Sequence, residues 1–168
     1  MIEPSKIKSA FKKVEHDNYK FRTFLKNHAD YEELDRQFHE LHEELFKDYD
    51  CSKCRNCCRE YSATFTEEEI GSAASYLGMT KDQFIDKHIK IEFGEYNLKQ
   101  VPCCFLKDDG SCELGDCKPT TCKEYPFTDR PDRLGSLLNI VHAASVCPVV
   151  FEMLERLKLE YGFRSRRK

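Results

Sequence analysis

The run Cys51-Ser-Lys-Cys54-Arg-Asn-Cys57-Cys58 places four thiols within eight residues, a density that ordinary core packing does not require. Two intervening residues let a pair of thiolates turn toward one ion without backbone strain, which is why this spacing recurs in zinc and iron–sulfur sites. The run reads as a metal-binding nucleus around which the rest of the chain is organised. Cys57 and Cys58 add a condition. Neighbouring α-carbons lie about 3.8 Å apart, yet the two side chains are expected to diverge, so Cys57 and Cys58 are not expected to serve one mononuclear ion together: one of them is left for a second metal, another metal of a cluster, or a non-ligand role.

Upstream, Ile7, Phe11, Val14, Phe21 and Leu25 recur at helical steps behind Pro4, and Tyr31, Leu34, Phe38, Leu41 and Leu45 repeat the pattern. This predicts two amphipathic helices, from Pro4 to about Leu25 and from about Asp30 to Tyr49, forming a hairpin that delivers the chain to Cys51. His39 and His42 are three residues apart, whereas the metalloprotease motif needs four, so they read as part of a solvated polar face.

Downstream, Thr66 with Glu69 and Thr80 with Gln83 form two capping boxes, each with a hydrophobic staple, Phe65 to Ile70 and Met79 to Phe84. Two short helices follow, the first stopped by Gly78. The consecutive Glu67, Glu68 and Glu69 are explained by this first-turn position without any chemistry. Ile89, Ile91 and Phe93 alternate with polar residues, and Gly94-Glu95 is read as a two-residue turn leading into Tyr96 and Leu98. Around Asp108-Asp-Gly110 a second tight turn puts Cys103 and Cys112 on neighbouring extended pieces. Pro119 and Pro126 bracket a short helix carrying Cys122. Leu134 to Val146 runs through the core, His142 within it reads as a core histidine, and Pro148 opens a terminal helix that Gly162 ends.

The 168 residues suffice for one modest core, built without tryptophan but with twelve Phe and eight Tyr. The expected fold is α+β, mainly helical with short β-hairpins: a small cysteine-rich, metal-stapled domain. Its expected layout is a helical hairpin over 1–50 packed on the domain, a cysteine-cluster domain over 51–162 and a basic tail over 163–168. A net charge of −3 gives no broad reason to bind nucleic acid or an anionic membrane. The N-terminal residues lack a signal-type apolar stretch and no apolar run is long enough to span a bilayer, so a cytoplasmic chain without a membrane partner is expected. Thiols stay reduced there, and ten cysteines then argue for metal ligation over disulfides.

These cysteines carry a resemblance. The Cys51 to Cys58 run is followed by Pro102-Cys103-Cys104-Phe105-Leu106, Gly110-Ser111-Cys112, Lys118-Pro119-Thr-Thr-Cys122-Lys123-Glu-Tyr125-Pro126 and Cys147-Pro148. From about Leu41 to Leu157 the chain resembles the CxxCxxCC, or YkgJ-like, cysteine-cluster family of zinc- or iron-chelating domains. The resemblance implies metal ligation by Cys51, Cys54, Cys57, Cys58, Cys103, Cys112, Cys122 and Cys147. It also implies a zinc or iron cofactor; the sulfur-rich donor set by itself suits zinc and an iron–sulfur cluster alike. Cys104 and Cys117 depart from the pattern, which leaves two alternatives for them, ligands or free thiols near the site. Three functions are compatible with this: a cytosolic metal-binding protein, an iron–sulfur redox or protein-modification enzyme, and a zinc-stapled interaction module whose helical hairpin meets a protein partner. No nucleophile–base pair or phosphate loop assigns catalytic residues.

Overall fold

The computed structural model describes residues 1–164 and is mainly helical with one small antiparallel sheet. In chain order the elements are α1 (Ile7–His28), α2 (Tyr31–Phe46), α3 (Cys51–Cys54), α4 (Asn56–Glu60), β1 (Thr64–Phe65), α5 (Glu67–Tyr76) and α6 (Lys81–His88). They continue with β2 (Ile89–Glu92), β3 (Glu95–Leu98), α7 (Thr120–Lys123), α8 (Arg133–Ala143) and α9 (Pro148–Glu160). The expected mainly helical α+β class is the one observed. Residues 165–168 of the expected basic tail lie outside the described residues. Among the described residues no helix is long and apolar enough to cross a membrane.

The described residues divide into two compact units, one formed by Met1–Asp50 with residues 126–164, the other by Cys51–Tyr125. In the first, α8 and α9 pack on both α1 and α2. Most of the stripe positions read from the sequence are buried, Ile7, Phe11, Phe21 and Leu25 on α1, Leu34, Phe38 and Leu45 on α2, Val150, Leu154 and Leu157 on α9, and Leu137 and Ile140 on α8 join them; Val14 and Leu41 are half-buried, and Tyr31, at the first position of α2, is exposed. Burying each such side chain contributes about 1.5–3 kcal/mol, which holds short helices that would be marginal alone. The Asp35 carboxylate accepts the backbone N–H groups of Asp132 and Arg133 at 2.9 and 2.7 Å, so α2 neutralises the exposed donors that begin α8. His142 is not a core residue. It lies exposed on α8, edge-on to Tyr19 with ring centroids 6.4 Å apart, because the helical period turns its position away from Leu137 and Val141. Nor is His42 simply solvated, since its Nδ1 lies 2.9 Å from the buried Thr128 hydroxyl.

The second unit has a core of Phe65, Ile70, Ala73, Ala74, Phe84, Ile89, Leu98, Phe105 and Leu114. Both capping boxes form as read, Thr66 with Glu69 and Thr80 with Gln83, and Gly78 ends α5 with φ of 70°. The sheet order is β1-β3-β2, and the two-residue strand β1 was not anticipated. The hairpin turn is Phe93-Gly94, one residue earlier than expected, since Glu92 pairs with Glu95. Both turn residues have positive φ, 54° and 83°, the backbone of a turn with Gly second. This register pairs Ile89 with Leu98, both buried, and the shared core face decides it.

Candidate metal centre

Cys51 to Cys58 folds as two short helical pieces, α3 and α4, hinged at Arg55, whose φ of 52° is left-handed. The hinge redirects the chain after Cys54, and the Arg59 guanidinium steadies it by donating to the Cys54 carbonyl at 2.8 Å. On α4 the sulfurs of Cys57 and Cys58 lie 4.0 Å apart, so they do not diverge as expected. Divergence belongs to a strand, where successive side chains point to opposite faces, whereas consecutive helical positions are separated by only about 100°.

Three further segments converge on Cys58. The backbone N–H of Cys103 donates to the Cys58 carbonyl at 2.8 Å, tying the Pro102 to Leu106 segment to α4. Cys112 returns beside that segment through an antiparallel bridge with Leu106, and the N–H of Glu113 donates to Phe105 O at 2.8 Å. The turn between them closes at Gly110, whose φ is +82° and where a Cβ would lie 2.3 Å from the Ser52 carbonyl oxygen. Cys122 sits on α7, which is anchored at two points: the N–H of Thr120 donates to Glu69 Oε1 at 2.7 Å, and the Thr121 hydroxyl donates to the Thr64 carbonyl at 2.8 Å. The capping glutamate of α5 thus also fixes the helix that carries Cys122.

The thiols act on one another. Cys58 is pulled down to about 6, foremost by a hydrogen bond from the Cys57 thiol, against the opposing effect of burial and with help from the positive charges of Arg55 and Lys118. Cys103 is pushed up to about 11 by burial, with Cys104, Cys58 and Cys112 adding negative charge. Cys122 has exposed surface, yet the burial of its thiol and the charges of Cys58, Cys103 and Cys112 push it up to about 12. Cys58, Cys103, Cys112 and Cys122 therefore form one electrostatic group drawn from four segments. A bound cation inverts such repulsion, since its own charge dominates the local field and coordinated thiols lose their protons. The donor set is chemically suited to zinc or iron.

Among the described residues no three His, Cys, Asp or Glu side chains already stand in metal-holding geometry, and no disulfide joins any of the ten cysteines. Cys51 is exposed and Cys54 half-buried at the start of the run. Cys147 is buried in the other unit, where it precedes α9 and its carbonyl accepts the N–H of Phe151 at 3.0 Å. Cys117 is half-buried at the end of a 3-10 turn, Gly115–Cys117. Cys104 lies 3.6 Å from His88 Nδ1, a residue that sequence reasoning passed over because the pair is 16 positions apart and belongs to no local motif.

No curated protein and no solved structure matches the chain. A family model does match, over residues 50–148, more than half of the sequence and with all ten cysteines inside it. Its description is "CxxCxxCC: Putative zinc- or iron-chelating domain", and the chain belongs to that family.

Proposed function

We propose that this is a cytosolic metal-binding protein that holds zinc or iron through the thiolates of Cys58, Cys103, Cys112 and Cys122, with Cys51, Cys54 and Cys57 supplying the rest of the front group. The observation that carries this reading is the gathering of four cysteine-bearing segments: the Cys103 N–H bonds to the Cys58 carbonyl, Cys112 is bridged back to Leu106, and α7 is tied to Thr64, so that the charges of Cys58 and Cys112 act on both Cys103 and Cys122. A bound ion supplies the positive charge that turns this repulsion into a common attraction. The residues do the remaining work: Arg55 and Lys118 favour the Cys58 thiolate, and Glu69 and Thr121 hold α7 so that Cys122 faces the group. Ligands from separate segments make binding energy into folding energy. The place of Cys147 among the ligands rests on the family pattern alone.

A second reading, an iron–sulfur redox or protein-modification enzyme, is favoured by one observation. With Cys57 4.0 Å from Cys58, the group offers more sulfur than one tetrahedral ion consumes. Metal analysis with ultraviolet–visible spectroscopy on anaerobically purified protein separates the two. Colourless protein with stoichiometric zinc, or iron without sulfide, supports the first; brown protein with acid-labile sulfide supports the second; purified protein that neither contains nor takes up zinc or iron removes both.

A further inference from the structure

His88 and Cys104 offer a metal something different from the four-cysteine group. His88 closes α6, its Nδ1 lies 3.6 Å from the Cys104 sulfur, and both side chains are half-buried, within reach of solvent. The imidazole is not loose. It packs against Phe84 and Phe105, with ring centroids 5.1 and 4.9 Å away, and those two phenyl rings stack on each other in the core. Its orientation is therefore set by buried groups rather than by a flexible loop. The Glu113 carboxylate and the Lys87 ammonium both act on His88 and on Cys104, and Lys99 acts on His88 while its Nζ is engaged by the Asp86 carbonyl.

The separation has a chemical meaning. A zinc ion bonded to thiolate at about 2.3 Å and to imidazole at about 2.0–2.1 Å, with a tetrahedral angle between them, spans a sulfur–nitrogen distance of about 3.6 Å. The pair already stands at that spacing. Cys104 lies outside the ligand set that the family pattern implies, so the thiol is not needed there.

We propose that His88 and Cys104 form a second, two-donor site for a divalent cation of the zinc class, completed by exchangeable water. Mixed nitrogen and sulfur donors suit such borderline ions. With two protein donors the site is open, binds more weakly than a closed thiolate site and exchanges quickly, the properties of a loading position beside Cys103. The proposal stands whether or not the four-cysteine group holds metal.

The test is titration of the reduced full-length chain with Zn2+ by calorimetry and with Co2+ by absorption. Wild type is expected to show one weak equivalent beyond any tight ones. His88→Gln and Cys104→Ser each weaken it by at least about tenfold. Cys104→Ser alone removes its thiolate-to-cobalt absorption, and Cys122→Ser leaves the weak equivalent in place. Unchanged stoichiometry and affinity in both variants, or no weak equivalent in wild type, overturns the proposal and leaves the contact as an S–H···N hydrogen bond. Should Cys104→Ser fail to fold, His88→Gln decides alone. Failure of the main reading would look different: tight equivalents missing from wild type, with the weak one present.

Discussion

Gly110 and Ser52 meet so closely that a Cβ on the glycine would lie 2.3 Å from the Ser52 carbonyl oxygen. The contact seats the turn before Cys112 directly on α3, so the spacing of the two cysteine segments depends on a missing side chain. Gly110→Ala adds both that overlap and an unfavourable positive φ, and is expected to cost about 2–3 kcal/mol. Urea unfolding measures it; a midpoint equal to wild type would show that the two backbones do not approach in solution.

Metal content should separate the proposed ligand cysteines from their neighbours. Cys58→Ser and Cys122→Ser are each expected to lower bound zinc or iron by about one equivalent, since a tetrahedral site that loses a thiolate is left open. Cys117→Ser is expected to leave the content unchanged. Elemental analysis of the three purified variants checks this, and equal loss in all three would count against the assignment.

Chelation should soften the fold. On the proposed assignment the ligands come from α4, the Cys103 segment, the Cys112 turn and α7 and close long loops, so removing the ion is expected to lower the melting temperature by about 10 °C or more. Re-addition of the ion should restore it. A melt indifferent to chelator would mean that the second unit needs no metal to fold.

Acid should act through Glu69. Burial tends to raise its pKa, but hydrogen bonds from Thr120 and Thr66 outweigh that and hold the carboxyl below its ordinary value. A depressed folded-state pKa means that the stabilisation is present above the ordinary carboxylate range and lost as pH falls through the folded value. Glu69→Ala is expected to cost about 1–2 kcal/mol near neutrality, the scale of a lost cap. Glu69→Gln, which has no carboxyl to titrate, should show a shallower loss of stability as pH falls from the ordinary carboxylate value through the lower folded one. Denaturation series at several pH values compare the three proteins, and parallel curves for wild type and Glu69→Gln would rule the mechanism out.

Much of the fold was legible because its signals are local. Thr66, Glu69, Thr80 and Gln83 announce two helix starts within four-residue windows, and the helical stripes of α1, α2 and α9 repeat over many turns. What escaped reading depends on partners distant in sequence. The strand Thr64–Phe65 exists only because β3 pairs with it, and the Phe93-Gly94 turn follows from the burial of Ile89 opposite Leu98. His142 sits in an apolar stretch, but its direction is set by helical phase rather than by composition. In the candidate site the identity of the cysteines was readable, while the approach of Cys57 to Cys58 was not, because nothing in the run itself declares that it is helical. His88 escaped because its link to Cys104 is purely tertiary.

The left-handed residue Arg55 bears on how far Cys51 to Cys58 can be treated as a portable motif. A non-glycine residue in that conformation costs about 1–2 kcal/mol, which an isolated octapeptide would avoid by relaxing. The excised peptide would then keep every sulfur and lose their arrangement. Mimics and grafts of this cysteine run need either the surrounding protein or a residue at position 55, such as glycine, that accepts the bend unaided.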